Sequence, residues 1–363
     1  MALSCGIVGL PNVGKSTIFN ALTASQIPAE NYPFCTIEPN VGIVPVPDDR
    51  LYQLARAYDS ARVIPATIEF VDIAGLVEGA SRGEGLGNQF LAHIRQVHAI
   101  AHVVRCFNDP NVVHVSGTVS PLRDISVVET ELLLKDLETV ARRRESLQRK
   151  RGSDIAEEIA FIEKLEAHLN MGLPSRLYTP STEKEQRLLD ELFLLTAKPV
   201  LYVANTDEEG FQKGSPLIEE VYAHASKQGA GVVVLCGKIE AEIANLGPDE
   251  RAFFLAELGM ERPALERLIQ QAYQMLGLIT FFTAGPKETR AWTIRKGTKA
   301  PQAAGVIHSD FERGFIRAEV MSFEDWQRLG SEQAVRQAGL YRIEGRDYVI
   351  ADGDIVYFRF NVS

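Results

Sequence analysis

Short apolar runs alternate with segments of helical periodicity over about the first 120 residues of the chain. The apolar runs predict buried strands, and the segments in which apolar residues recur every three or four positions predict helices. Alternating strands and helices of this length are typical of an α/β fold built on a parallel sheet. Strands are expected at residues 5–9, 41–46, 67–72 and 100–106, and helices at residues 15–25 and 90–99.

A purely helical region follows. Beyond Asp124, apolar residues recur at helical spacing in two runs, which Gly152-Ser153 separates. Two helices joined by a short turn predict an antiparallel hairpin of the coiled-coil kind. Ser181-Thr182 and Glu185 have the spacing of a capping box and predict a third helix. We therefore expect a helical insertion of about 70 residues.

The α/β pattern then resumes and changes again near Gly277. Apolar runs at residues 199–204 and 231–236 predict two further strands of the first sheet. After Gly277, short β-like runs alternate with helical stretches, which is typical of a separate α+β domain. The expected division is an α/β segment at 1–127, the helical insertion at 128–197, a second α/β segment at 198–277 and the α+β domain at 278–363.

The composition is that of a globular protein. The chain has 363 residues, of which 45% are hydrophobic and 24% charged, and its formal net charge is −10. An acidic chain does not bind nucleic acid indiscriminately, so any nucleic-acid surface has to be a local basic patch. The four cysteines form no C-x-x-C pair, which indicates reduced thiols. No apolar stretch is long enough to span a membrane, and the first residues lack the basic and apolar regions of a signal peptide. We therefore expect a cytoplasmic protein with no membrane contact.

A phosphate-binding loop (P-loop) is expected after the first strand. The segment there is Gly9-Leu10-Pro11-Asn12-Val13-Gly14-Lys15-Ser16, which matches G-x-x-x-x-G-K-[ST] between a predicted strand and a predicted helix. Glycines let backbone N–H groups turn towards phosphate oxygens, and the start of the helix adds positive potential. Lys15 is the cation for the β- and γ-phosphates, and the Ser16 hydroxyl is a ligand for Mg²⁺. The candidate nucleotide-binding residues of this loop are Asn12, Val13, Gly14, Lys15, Ser16 and Thr17.

A second part of the phosphate site follows the next long strand, which ends at Asp72-Ile73-Ala74-Gly75. A carboxylate at this place can hold Mg²⁺ through water, and the Gly75 amide can contact the γ-phosphate. Thr36, between the two motifs, is the candidate second hydroxyl ligand. Lys15 and Gly75 are thus the candidate catalytic contacts of the reacting phosphate. The expected magnesium ligands are Ser16, Thr36 and Asp72.

Two later loops are placed to bind the base. Asn205-Thr206-Asp207-Glu208 follows a strand and stands where guanine-binding proteins carry N-K-x-D, with Glu208 in place of the Asp. Cys236-Gly237-Lys238 follows the last strand of the sheet, where a loop around the base is expected. The longer Glu side chain favours adenine, because it moves the carboxylate away from the guanine donors. Asp207 and Lys238 are each compatible with guanine, so both bases stay open at this point, with adenine favoured.

These residues together resemble the Obg-like branch of the P-loop GTPases, and within it the YchF family. The resemblance covers essentially the whole chain. Its most specific pieces are the segment Asn31-Tyr32-Pro33-Phe34-Cys35-Thr36-Ile37-Glu38-Pro39-Asn40, residues 72–88, and residues 306–319 with Ala291-Trp292-Thr293 in the C-terminal domain.

The resemblance implies a G domain (the nucleotide-binding domain of GTPases) formed by residues 1–127 and 198–277, an inserted coiled-coil domain at 128–197, and a β-grasp module of the TGS type at 278–363. It implies hydrolysis of ATP in preference to GTP, dependence on Mg²⁺, a hydrophobic residue in place of the water-orienting Gln, here Leu76, and binding to the large ribosomal subunit. Asn12 stands at the position that holds K⁺ in related GTPases, so K⁺ is a candidate cofactor. We expect a monomer.

Three features keep two interpretations each. His114 follows a strand end on the nucleotide side and is either a catalytic or switch residue or a surface-loop histidine. Arg142-Arg143-Arg144 and Arg149-Lys150-Arg151, near the tip of the hairpin, are either a solvated helix face or a contact surface for rRNA phosphates. Trp292, beside Arg290 in the C-terminal domain, either stacks on RNA or belongs to the core.

Three activities remain open from the sequence. The one we favour is a nucleotide-switched ATPase that binds the ribosome and acts in translation. The second is an ordinary Obg-type GTPase. The third is an RNA- or ribosome-binding factor that is gated by nucleotide and in which hydrolysis is incidental.

Overall fold

The loops that the sequence analysis identified lie at one edge of a six-stranded sheet. The computed structural model describes residues 3–24, 40–73, 86–114, 117–149 and 153–361. Thr36 and Gly75 lie outside the described residues, as does most of the segment 31–40. Nothing in the structure therefore bears on the roles expected for these two residues.

Two six-stranded sheets are formed by the described residues. The strand order is β2-β4-β1-β5-β6-β7 in the first sheet and β11-β10-β12-β8-β9-β3 in the second. In the first sheet β4, β1, β5, β6 and β7 pair in parallel. The strands are β1 (Ser4–Val8), β2 (Val41–Pro45), β3 (Val63–Ile64), β4 (Thr67–Asp72), β5 (Ala99–Arg105), β6 (Val200–Asn205), β7 (Gly231–Leu235), β8 (Leu278–Thr283), β9 (Thr289–Arg295), β10 (Phe315–Ser322), β11 (Arg342–Glu344) and β12 (Asp354–Phe360).

Helices cover much of the rest of the described chain. None of them combines the length and the apolar composition that a bilayer crossing requires. The helices are α1 (Lys15–Thr23), α2 (Asp49–Ala57), α3 (Leu86–Gln96), α4 (Pro121–Gln148), α5 (Ser153–Asn170), α6 (Glu183–Glu191), α7 (Glu208–Lys213), α8 (Pro216–Lys227), α9 (Gly237–Ala244), α10 (Pro248–Glu257), α11 (Ala264–Met275), α12 (Ala300–Ile307), α13 (Ser309–Arg313), α14 (Phe323–Leu329) and α15 (Glu332–Gln337).

The parallel arrangement places the candidate site residues at one edge of the first sheet. In a parallel sheet all strands end on the same side, and ligands of α/β folds bind there. The P-loop follows β1, Asp72 ends β4, Arg105 ends β5 and Asn205 ends β6. Residues far apart in the sequence therefore meet at the C-terminal edge of the first sheet.

The helical insertion is built on an apolar seam between α4 and α5. Buried leucines, valines and isoleucines repeat at helical spacing on both helices, and α6 adds further leucines to the same cluster. α4 begins at Pro121, earlier than the predicted start, and its first turns pack beneath the sheet through Ile125. Since one unbroken helix serves both the sheet and the hairpin, the hairpin forms one compact unit with the sheet, residues 1–44 and 69–272.

The second compact unit contains residues 45–68 and 273–363. The sequence division placed residues 45–68 in the first α/β segment, and the structure differs there. The reason is pairing: β3 lies parallel to β9, and Arg50 forms an ion pair with Asp352 at 2.8 Å. The expected mixture of strands and helices after Gly277 is observed, with a core formed by β8, β9, β10, β12 and α12.

Candidate nucleotide-binding site

The P-loop has the backbone shape that a phosphate cradle requires. Asn12 and Gly14 both have positive φ, 62° and 95°. At Gly14 a Cβ would also lie 2.2 Å from Nδ2 of Asn205, so the position admits only glycine. α1 then begins at Lys15, and the N–H groups of a first helical turn have no partner within the helix. These N–H groups, with Ser16 and Thr17 exposed beside them, form a surface that suits an anion.

Lys15 is buried within this loop, with 8% of its surface exposed. Its Nζ donates a hydrogen bond to the carbonyl oxygen of Leu10 at 2.8 Å. Burial lowers the pKa of Lys15, and the negative charge of Asp72 acts in the opposite direction. A desolvated ammonium held by one neutral carbonyl is ready to exchange that partner for a phosphate oxygen.

Asp72 presents an oxygen that fits a metal-bound water. It is half-buried at the end of β4, and its Oδ1 atom is buried with no hydrogen-bond partner among the described residues. Burial raises the pKa of Asp72, while the charge of Lys15 lowers it. An orphaned carboxylate oxygen, with the exposed hydroxyl of Ser16 in the loop, is the hard oxygen donor set that Mg²⁺ prefers. The residues present therefore fit a magnesium ion.

A cleft of about 890 Å³ opens at this edge of the sheet. It is the size expected for a small-molecule site. Val13, Lys15 and Ser16 do not line it, and Val13 and Lys15 are buried behind its wall. The predicted residues that line the cleft are Asn12, Gly14, Thr17, Asn205, Thr206, Glu208 and Cys236.

One wall of the cleft carries no sequence motif and was not predicted. That wall is the loop after β5, and its position could have been inferred, because β5 is a parallel strand that ends at the same edge. The sequence carries no motif there, only an aromatic residue and a turn. The additional residues are Phe107, Asn108, Asp109 and Val112 from this loop, and Ile239, Ala241, Glu242 and Asn245 from α9 and the residue after it.

Asn205 joins the phosphate end of the cleft to the base end. Its Nδ2 donates to the carbonyl oxygen of Val13 at 2.8 Å, and its Oδ1 accepts from the N–H of Gly237 at 2.9 Å. The side chain is 4% exposed, so both bonds are shielded from water. Asn205 thus fixes the separation between the P-loop and the loop after β7.

The loop after β6 uses its two acidic residues differently. Asp207 caps α7 by accepting a hydrogen bond from the N–H of Gly210 at 2.8 Å. Glu208 is the exposed first residue of α7 and lines the cleft. Thr206 is buried, and its hydroxyl donates to the carbonyl oxygen of Cys106 at 3.2 Å. Cys236 is also buried, which raises the pKa of its thiol and keeps it neutral.

His114 is not the surface histidine that one interpretation expected. It is 7% exposed, and its Nε2 lies 2.8 Å from Oδ2 of Asp124. The preceding residue, Val113, accepts a hydrogen bond from Nδ2 of Asn12 at 3.1 Å. His114 is therefore held beside the P-loop, although it does not line the cleft.

Ion pairs engage part of the basic sequence near the hairpin tip. Arg143 and Arg144 each pair with a glutamate of α5. Arg142 and Arg149 are exposed, and neither side chain pairs with a carboxylate among the described residues. Arg143 and Arg144 thus stabilise the hairpin, and Arg142 and Arg149 are the described cations open to an outside anion.

Trp292 is occupied within the second sheet. Its indole N–H donates to the hydroxyl of Thr283 at 2.9 Å, and its ring stacks on Phe281. The guanidinium of Arg290 lies 3.9 Å from the ring centroid. These contacts favour the core interpretation over RNA stacking.

Comparison with known proteins identifies the family. Residues 4–142 match a family model described as a 50S ribosome-binding GTPase. Residues 278–361 match the YchF GTPase C-terminal model, described as a protein of unknown function. The Ribosome-binding ATPase YchF of Bacillus subtilis is 51% identical over 367 residues, and that of Escherichia coli O157:H7 is 52% identical over 366 residues; both matches cover all of both chains. This chain belongs to the YchF family.

Two further relatives extend the YchF match beyond bacteria. Obg-like ATPase 1 of Rattus norvegicus is 47% identical, over 99% of this chain and 93% of its own. The solved YchF GTPase of Schizosaccharomyces pombe superimposes with a TM-score of 0.89 at 40% identity, over 98% of this chain and 97% of that one. The predicted fold, a P-loop G domain followed by the YchF C-terminal domain, is confirmed.

Proposed function

We propose that this protein hydrolyses ATP to ADP and phosphate and binds the large ribosomal subunit. The observation that carries the proposal is the cleft at the C-terminal edge of the first sheet, which the P-loop and the loops after β5, β6 and β7 line together. The relatives named Ribosome-binding ATPase YchF and Obg-like ATPase 1 support both the nucleotide and the partner. A ribosomal partner in turn places the protein in the cytoplasm, and we expect it to act as a monomer.

The phosphates bind at the start of α1. The N–H groups from Gly14 to Thr17 point at the anion, and the Lys15 ammonium leaves the Leu10 carbonyl for the β- and γ-phosphates. Magnesium, when bound, neutralises the charge of these phosphates. Ser16, Thr36 and Asp72 are the residues that would hold it, Asp72 through the buried oxygen that has no described partner.

Hydrolysis is attack of water on the γ-phosphorus, with a new bond from the water oxygen and cleavage of the bond to the β–γ bridging oxygen. Leu76, in the position of the usual Gln, has no group that orients water. His114, held by Asp124, is the candidate for that role, and the Gly75 amide is the candidate contact of the γ-phosphate. Asn12 would hold K⁺ as an added positive charge in the transition state.

Adenine is the proposed base because of the two acidic residues after β6: Asp207 caps α7, and Glu208 has a longer side chain than the Asp of guanine-binding proteins. A guanine-binding Asp accepts two hydrogen bonds, and the wrong base leaves it unpaired. Asp207 is committed to capping α7, which supports the assignment of Glu208 to the variable position. Direct competition of ATP and GTP, with Glu208→Asp beside the parent, tests this. ATP should bind more tightly in the parent, the variant should gain GTP affinity, and tighter GTP binding by the parent would make the protein a GTPase.

The central experiment titrates the protein with ATP, GTP and their diphosphates, and measures turnover with and without ribosomes. We expect tight binding of ATP, slow intrinsic turnover and clear stimulation by ribosomes. Ribosome binding without any effect on turnover would instead make this a nucleotide-gated binding factor.

The hairpin surface is tested with Arg142→Glu and Arg149→Glu. These two cations lack a described carboxylate partner, so the variants should weaken ribosome binding and make that binding less dependent on salt. Hydrolysis of ATP without ribosomes should stay unchanged. Arg144→Glu is the matched control for lost hairpin stability, because its parent residue is paired with Glu166. If the Arg142 and Arg149 variants co-sediment with ribosomes at the parental level, this surface does not bind the ribosome.

A further inference from the structure

A fully buried arginine stands at the end of β5. Arg105 is 2% exposed, and among the described residues no carboxylate forms an ion pair with it. Its Nη1 atom is buried without a hydrogen-bond partner in the described structure. A buried guanidinium without an anion is costly, and an apolar side chain would fill the same space at lower cost. A stability role alone therefore does not account for Arg105.

Among the described residues, the side-chain hydrogen bonds of Arg105 go to the loop that follows it. Its Nε donates to the carbonyl oxygen of Phe107 at 3.1 Å, and its Nη2 donates to that of Asp109 at 3.4 Å. The guanidinium carbon also lies 4.5 Å from the ring centroid of Phe107. The planar fork thus binds two carbonyls and one ring of a single short loop, which a lysine cannot reproduce.

The same loop is folded around Asp109. The Asp109 carbonyl also accepts from the N–H of Val112 at 3.1 Å, and its Oδ1 accepts from the N–H of Asn111 at 2.8 Å. Phe107, Asp109 and Val112 line the cleft. The loop then continues to His114. One buried side chain thus bonds to two carbonyls of a loop that lines the cleft and leads to His114.

We propose that Arg105 is a positioning residue that fixes the loop 106–114. It acts through the Phe107 and Asp109 carbonyls, and so sets both the cleft wall and the placement of His114. The proposal rests on the proposed function, since it assigns the positioned residues to nucleotide binding and hydrolysis. Arg105 itself does not line the cleft.

Hydrogen exchange of the whole protein tests the positioning directly. Arg105→Lys keeps the charge but loses the fork, and Arg105→Met keeps an apolar stem of similar length. Both should speed the exchange of peptides covering residues 107–114 by about tenfold or more, since the Asn111 and Val112 amides are bonded within the loop. Arg176→Lys is the matched control, a partly buried arginine that pairs with Glu129, and should leave these peptides unchanged. Parental exchange rates in both Arg105 variants would overturn the proposal.

A double-mutant cycle tests the consequence for hydrolysis. Arg105→Lys should lower kcat about tenfold or more, because small misplacements of a reacting group are costly. In a His114→Ala background the same change should lower kcat much less, since both changes remove one arrangement. Equal effects of Arg105→Lys in the two backgrounds would refute the link to His114. If His114→Ala alone leaves kcat unchanged, the proposed role of His114 fails, and the exchange experiment still decides the role of Arg105.

Discussion

The imidazole Nε2 of His114 lies 2.8 Å from Oδ2 of Asp124, and both side chains are buried. Asp124 belongs to the first turn of α4, and the same helix runs 28 residues to Gln148 in the hairpin. At 1.5 Å per residue that helix is about 42 Å long. The residue proposed to orient water is therefore bonded to the first turn of the helix that extends into the insertion.

The pair makes Asp124 the first residue to test. Asp124→Asn keeps an oxygen for the histidine N–H but removes the charge that orients and stabilises the ring. We expect kcat for ATP to fall by at least about tenfold, within the range that a positioned acid–base group contributes. Steady-state turnover with matched nucleotide-affinity measurements checks this. If the Asp124→Asn variant hydrolyses ATP at the parental rate, His114 has no role in catalysis.

Asp136, a second buried aspartate on α4, should affect stability and not turnover. Its carboxylate accepts from the N–H groups of Leu195 and Thr196 at 2.7 and 2.8 Å and from the Thr196 hydroxyl at 2.6 Å. Asp136→Asn replaces one carboxylate oxygen with an NH2 group that faces these N–H and O–H donors. The free energy of unfolding should therefore fall by about 2 kcal/mol. Urea unfolding measures the loss. Turnover per folded molecule should stay within about twofold of the parent, and a large loss there would contradict the assignment.

Lys15→Met should remove nucleotide binding without weakening the free protein. Burial lowers the pKa of Lys15, so the folded state without nucleotide carries a desolvation cost that methionine does not. The melting temperature without nucleotide should be equal to or higher than that of the parent. Saturating ATP with Mg²⁺ should raise the parental melting temperature and leave the variant unchanged. A variant that melts well below the parent without ligand would show that Lys15 is needed for folding.

The cation at Asn12 can be tested with two substitutions. Turnover should be at least about threefold faster in K⁺ than in Na⁺, well below the roughly 1,000-fold effect of an arginine finger. Asn12→Gly removes the side chain without straining the φ of 62° and should abolish the difference. Asn12→Asp keeps an oxygen but loses the N–H that Val113 accepts, so a retained K⁺ preference there assigns the effect to the oxygen. Equal parental rates in both salts would exclude the K⁺ site.

Glu319 gives the second unit a stability that depends on pH. Hydrogen bonds from Arg359, Arg317 and Tyr341 lower the pKa of Glu319 to about 2 from an ordinary 4.5. Because the folded pKa is below the unfolded one, the contribution is complete above about pH 5 and is lost as the pH falls towards 2. Both arginines are half-exposed, so we expect a loss of only about 1–2 kcal/mol.

Urea unfolding between pH 5 and pH 2 measures this loss. The free energy of unfolding should fall more steeply for the parent than for Glu319→Gln. Glu324→Gln, at an exposed position of the same unit, is the matched control and should follow the parent. Identical slopes for the parent and Glu319→Gln would contradict the prediction.

Local patterns in the sequence determined much of the nucleotide site. The P-loop, the strand that ends at Asp72 and the loop that begins at Asn205 were each predicted from short segments. Their strands were found within about two residues of the observed ends. This worked because buried strands, glycine turns and helix starts depend mainly on neighbouring residues. The division at residue 45 could not be found in this way, since β3 is only two residues long and is defined by its pairing with β9.

The tertiary structure decided which residues from distant loops contact one another. The bond from Asn205 to Val13 spans 192 residues, and that from Asn12 to Val113 spans 101. No periodicity or local motif encodes such contacts, because they arise only when parallel strands place distant loops at one edge. For the same reason, neither the cleft wall at Phe107 nor the burial of His114 against Asp124 could be predicted from the sequence. The sequence by itself thus determined the elements and the phosphate chemistry, and the packing of the sheet decided which side chains act together.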